Sequence, residues 1–268
     1  MGTEEWTVVL ARSGRKKRGF QKMIIPPKML EPAKPWAPEN SENDPERELK
    51  LMGKMHTYVE SLQSSQFYQA FMDQIQRSEM SDLIGKVLVS EEKMSMVVYG
   101  IGSIESYEPP RLQLGLAILM KKNLSWIGDV EVFDPVISSV ESKVLSAFGF
   151  SVLSINEEGQ RQASKPTFFF MPHCEAVLYN NLLRANWEVN RLNQIVLLGN
   201  SFNGYEQVVS TSMLSVREET HGHIFAVRSF TKEFPVNTVS DDYFRAFHTS
   251  SWHFFNVESD ADLQLLKL

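Results

Sequence analysis

The chain has 268 residues, is 43% hydrophobic and carries a net charge of -6. That suffices for one sizeable α/β core with extensions, and the acidic balance excludes a surface built overall to coat nucleic acid or anionic membrane. The single cysteine, Cys174, excludes an intrachain disulfide and a multi-cysteine zinc site, and it suits a reducing compartment.

No apolar run approaches the roughly 20 residues of a membrane-spanning helix. The opening MGTEEWTVVLARSG has no secretory pattern. The expectation is a soluble intracellular protein with no membrane association.

Residues 1–45 read as a disordered basic and proline-rich tail. Arg12, Arg15, Lys16, Lys17, Arg18 and Lys22 form a tight cluster, and Pro26, Pro27, Pro32, Pro35, Pro38 and Pro45 break any regular element after it. The cluster is open to two readings: a solvated face of the tail, or a nuclear-import or polyanion contact.

Residues 46–93 predict a helical N-terminal extension. Leu51, Met55, Tyr58, Val59 and Leu62 recur at helical spacing, and Phe67, Phe71, Met72 and Ile75 repeat the pattern after Ser65, a fair N-cap. Each helix has one apolar stripe and should lean on the domain that follows.

Residues 94–268 predict that domain. MSMVVY (94–99) is a buried strand, and EPPRLQLGLAILMKK (108–122) is a helix opening on prolines and closing on lysines. VEVFDP (130–135) is the second strand. Asp134 and Pro135 are expected at N-cap and N1 of the next helix, which ends before Gly149. FSVLSI (150–155) and TFFFM (167–171) are the third and fourth strands, His173 to Trp187 is a helix, and QIVLLGN (194–200) is the fifth strand. Beyond it EQVVSTSML is a candidate helix, HIFAVRSF (223–230) reads as strand, and the aromatic DDYFRAFHTSSWHFF (241–255) as edge strand or short helix. Strands alternating with amphipathic helices specify an α/β fold: a Rossmann-like, doubly wound, mainly parallel sheet with N-terminal helical additions.

In such a sheet a ligand lies at the carboxyl ends of the strands. That rule nominates Gly100, Gly102, Ser103 and Glu105, then Asp134, then Asn156, Glu157 and Glu158. It adds Pro172, His173, Cys174 and Glu175, and finally Gly199, Asn200, Ser201 and Asn203. Gly100-x-Gly102 lets a backbone approach a phosphate or carboxylate, but Glu105 stands where a dinucleotide fingerprint needs its third glycine and would repel a pyrophosphate. What remains resembles the first motif of S-adenosylmethionine-dependent methyltransferases, or is a tight strand-to-helix turn. Asp134 either holds ribose hydroxyls or caps a helix. His173 is the best single candidate for an acid or base, whereas adjacent Cys174 is expected to point away from it. His221 and His223, if extended, share a face and could join His248 or His253; more often such histidines are solvent-exposed, and no metal is assigned.

Several segments together resemble the sensitivity-to-red-light-reduced family: VYGIGSIES, the LQLGLAILM helix, VEVFDP, FFFMPHCEAVLYNNLL, LLGNSF and AFHTSSWHFF, in order through about residues 50–257. EWTVVLARSGRKKRG resembles the start of its plant members. The resemblance implies a regulator of phytochrome B light signalling and circadian clock input, found in nucleus and cytoplasm and acting through protein partners. It carries no established reaction, hence no catalytic residue. Recurring family positions map onto Gly100, Gly102, Ser103, Asp134, Pro172, His173, Cys174, Glu175, Asn200 and Ser201. The departure is His248-Thr249, where the family has Asn-Asp. The expectation is therefore a regulatory protein, and the alternative an enzyme or sensor of a nucleotide-like ligand, with S-adenosylmethionine the candidate cofactor. A nucleic-acid partner through the tail alone is the weakest reading.

Overall fold

Seven strands form one sheet in the order β3-β2-β1-β4-β5-β7-β6. The computed structural model describes residues 35–38, 44–89, 91–205, 217–239 and 241–266. The basic cluster at 12–22 and the helix expected at 206–214 lie outside the described residues.

The strands are β1 Met94–Tyr99, β2 Ile127–Phe133, β3 Phe150–Val152, β4 Thr167–Met171, β5 Ile195–Asn200, β6 Thr231–Pro235 and β7 Ser250–Phe255. β1 to β5 are mutually parallel where they pair, β7 runs antiparallel to β5, and β6 runs antiparallel to β7. The helices are α1 Pro45–Gln63, α2 Gln66–Gln76, α3 Ser78–Leu88, α4 Glu108–Asn123, α5 Ser139–Ala147, α6 Ala176–Ala185, α7 Val189–Leu192, α8 Arg217–Val227, α9 Asp241–Phe247 and α10 Asp260–Gln264.

Strand alternation sends successive side chains to opposite faces. Met96 and Val98, Phe168 and Phe170, Val196 and Leu198, and Trp252 and Phe254 enter one hydrophobic cluster. Val97 and Tyr99, Phe169 and Met171, and Ile195 and Leu197 enter the other. Trp252 is fully buried between Phe168 at 5.4 Å and Phe71 at 5.6 Å, so α2 is anchored to the sheet by aromatic stacking. The N-terminal helices and the sheet thus belong to one compact unit, Ala33–Leu268.

Several elements differ from expectation. The Ser65 hydroxyl does accept from Tyr68 N at 3.1 Å and caps α2, and Gly149 (φ +78°) follows α5. But α5 starts at Ser139, not at Pro135 after an Asp134 cap. Ser138 and Glu141 form a reciprocal capping box there, which outcompetes the Asp-Pro signal. HIFAVRSF is not a strand: α8 and a 3-10 turn cover it. Residues 241–255 supply both α9 and β7, and β7 is interior, the edge being β6, which the alternation pattern did not reveal.

Candidate functional site

The carboxyl ends of β1, β2, β4 and β5 converge as the fold requires, and the residues there hold mainly one another. Gly100 and Gly102 both adopt left-handed φ, +67° and +72°, which a side chain resists. The Cys174 sulfur packs where a Gly100 side chain would sit, and Pro110 lies 3.2 Å from where a Gly102 Cβ would be. Internal packing and the left-handed φ therefore account for glycine at position 100, and the left-handed φ with a tight Pro110 contact accounts for it at 102, with no ligand needed for either.

Asp134 is buried, and its carboxylate bridges two turns. It accepts from Gly102 N at 2.8 Å and from Val136 N at 3.0 Å. It does not cap α5. Glu141, 1% exposed, is the counterpart that sequence reasoning missed. Its carboxylate accepts from Ser103 Oγ (2.8 Å), Glu105 N (2.9 Å) and Ser138 N (2.7 Å), tying the turn after β1 to α5. The Ser-x-x-Glu spacing at 138–141 is the signal that could have found it.

Glu105 faces α1. Arg47 reaches it with Nε at 2.9 Å and a terminal nitrogen at 2.8 Å, a bidentate ion pair. Buried Arg111 donates to the carbonyls of Ile104 (2.9 Å) and Glu105 (3.2 Å) and lies over the Tyr58 ring. The turn is clamped from three sides.

Beyond β4, His173 sits at φ +58°, a strained conformation for a non-glycine residue. Asn200 Oδ1 accepts its backbone N–H at 2.8 Å, and its ring Nε2 lies 3.1 Å from the His248 carbonyl. A carbonyl only accepts, so Nε2 carries the proton, leaving Nδ1 to face Gln113 Nε2 at 3.5 Å. Burial holds the imidazole pKa below its usual value, against the opposing pull of the His248 carbonyl. The His248 ring stands 4.3 Å from that of His173, and Phe244 stacks on His248 at 5.1 Å.

Cys174 points the other way, its thiol donating to Tyr99 O at 3.3 Å, and burial, with Asp134 and Glu175 adding to it, pushes its pKa up. It is a packed thiol, not a nucleophile. Glu175 is exposed at the N-cap of α6 without a side-chain capping bond. Buried Pro172 precedes them.

Asn200 is the hub on the β5 side. Its amide donates to Cys174 O and to Tyr205 OH, both at 3.1 Å. Its N–H donates to Tyr179 OH at 2.9 Å, and that hydroxyl donates in turn to Met171 O. Tyr179 lies so close to Gly199 that no side chain fits there. Ser201 N–H donates to Thr249 O at 2.7 Å, and its hydroxyl accepts from Gly204 N; Asn203 turns instead to Glu233.

On the far side, Tyr99 OH donates to Glu157, and Arg161 joins Glu157 (2.9 Å) to Glu131 (2.8 Å). Asn156 Oδ1 accepts from Glu158 N and shapes that loop. The late histidines do not gather. His221 and His223 lie on α8, where a spacing of two puts them on different faces. The His223 ring meets Trp187 at 4.8 Å, and His253 is buried on β7 with its ring 4.2 Å from Phe202. Among the described residues no group of three metal-ligating side chains forms, and no helix is long and apolar enough to cross a membrane.

The SRR1 domain family model matches residues 60–254. The chain is 50% identical to Protein SENSITIVITY TO RED LIGHT REDUCED 1 of Arabidopsis thaliana over 97% of its own length and 94% of that protein's. It is 39% identical to an SRR1-like protein of Mus musculus over 44% of its own length and 48% of that protein's. Among solved structures, the 23S rRNA methyltransferase ErmE is similar over 69% of this chain and 72% of that one, with 10% identity and a TM-score of 0.37.

Proposed function

This chain belongs to the SRR1 domain family, and from that membership we propose that it is a regulatory protein of phytochrome B red-light signalling with input to the circadian clock. The observation that carries the reading is the 50% identity to the Arabidopsis thaliana red-light protein over nearly the whole of both chains. A regulatory role follows from that kinship, and phytochrome B and the clock are the finer part of the proposal.

The strand-end geometry supports a scaffold role for the glycine turn. Asp134 and Glu141 hold the Gly102 and Glu105 N–H groups that a phosphate would otherwise meet, and Cys174 fills the space beside Gly100. In this reading the chain works in nucleus and cytoplasm through protein partners, with the basic cluster of the tail as its import signal.

Expression in an Arabidopsis thaliana line lacking the red-light relative tests it. The chain should restore red-light growth responses and the free-running period, and the growth rescue should vanish when phytochrome B is also removed. Accumulation of the protein without rescue overturns the reading.

A further inference from the structure

Residues 35–38, Pro-Trp-Ala-Pro, belong to none of the described helices or strands. Pro35 forms an isolated antiparallel bridge with Ile155, and Trp36 N–H donates to Ser154 O at 2.7 Å. Prolines on both sides favour an extended backbone. This strap therefore adds to the chain just beyond β3 and delivers one side chain, the half-buried indole of Trp36.

That indole meets Phe133, the last residue of β2, edge to face at 5.2 Å. It packs against both hydrophobic clusters. Phe133 is in register with Tyr99, the last residue of β1. The indole thus covers the carboxyl ends of β2 and β3, beside the β1–β4 switch point and at the end of the sheet where open α/β folds bind ligands.

The structure assigns this place as a slot for a planar heteroaromatic base, with Trp36 as its intramolecular occupant. An indole and a purine are both flat fused bicycles of similar area, so walls that fit one fit the other. When the strap leaves, Ser154 O loses the donor it holds at 2.7 Å and becomes an acceptor at the rim, matched to an exocyclic amino group. On the phosphate side the Gly102 and Glu105 N–H groups are held by Asp134 and Glu141, whereas the base side is closed by a strap that, among the described residues, pairs through one bridge. The ligand class is accordingly an adenine-type base or nucleoside rather than a dinucleotide. This inference rests on the crevice and not on the red-light reading, and either stands if the other fails.

Calorimetry with adenosine tests it on the full chain. Trp36→Ala should bind adenosine saturably and at least tenfold more tightly than the parent, since the occupant no longer competes. No binding by a folded Trp36→Ala, or equal binding by both, overturns the proposal. Should that variant fail to fold, the parent decides the matter with 5-fluorotryptophan, the Trp36 signal being assigned by its loss in Trp36→Phe. Millimolar adenosine should shift that signal as the indole is displaced, and a signal unmoved by adenosine overturns the proposal.

Discussion

Gly100 and Cys174 are a matched pair: the sulfur of one fills the space that any side chain on the other would need, and the same sulfur donates to the carbonyl of Tyr99, the residue before the glycine. Gly100→Ala combines overpacking with a left-handed φ for alanine, and should cost about 3 kcal/mol in denaturant unfolding. Adding Cys174→Ala should recover part of that loss. Purely additive costs in the double-mutant cycle would show that the two positions do not share the space.

Glu105→Gly completes a Gly-x-Gly-x-x-Gly pattern and tests whether Glu105 alone bars a dinucleotide. Gly102 N–H remains held by Asp134, and Cys174 still faces Gly100. No saturable NAD binding should appear by calorimetry. The lost Arg47 pair is partly exposed, with side chains 47% and 28% accessible, so stability should fall by less than about 1 kcal/mol.

Asn200 joins β5 to the loop after β4 through the His173 N–H, the Cys174 carbonyl and Tyr205. Asn200→Ala leaves these groups without partners and should cost about 2–3 kcal/mol. The backbone amide of His173 should also exchange with deuterium much faster, and unchanged protection there would contradict the role assigned to Asn200.

His253 is fully buried, and burial lowers its pKa from 6.5 to about 4, against the opposing effect of Glu233, whose carboxylate lies 3.8 Å from Nε2. The unfolded chain therefore binds this proton first on acidification. Stability contributed here is complete above pH 6.5 and falls as pH drops from about 6.5 toward about 4, by about 3 kcal/mol in all. His253→Leu should flatten the stability-versus-pH curve across that window, and an identical slope in both proteins would exclude His253 as its source.

Replacing Lys16, Lys17 and Arg18 by alanine should lower nuclear accumulation of a fluorescent fusion. Unchanged distribution would remove the tail from the import pathway.

The sheet was legible because β1, β4 and β5 are continuous apolar runs between clear helices, and burial on both faces leaves no other reading for such runs. The edge was not. β6, TKEFP, has a charged, half-exposed pattern that alternation does not mark, and its place depends on β7, far along the chain. HIFAVRSF carries strand-favouring residues, yet α8 packs Ile224 and Val227 into the core: tertiary contact outweighed local propensity. At the strand ends, sequence located nearly every position but not its engagements. Adjacent His173 and Cys174 do point apart, as expected. That Cys174, rather than a ligand, accounts for Gly100 was invisible, because the two meet only after β1 and β4 are side by side. Arg47 and Trp36 were likewise beyond reach: a lone arginine and a tail tryptophan acquire meaning only from what they touch. Glu141 was within reach through its Ser-x-x-Glu spacing, but its bonds to Ser103 and Glu105 were not.

The order of the strands in space sets when the sheet is finished. β7 pairs Phe254 with Val196 and Trp252 with Leu198, and β6 in turn pairs with β7. The ribosome thus delivers an interior strand after both of its neighbours, and until it arrives the hydrophobic rim of β5 stays open, a template for pairing with other chains. A chain stopped just before Ser250 would retain every strand-end residue from Gly100 to Ser201 and still be lost to aggregation. Premature termination late in the gene should therefore be as severe as early termination.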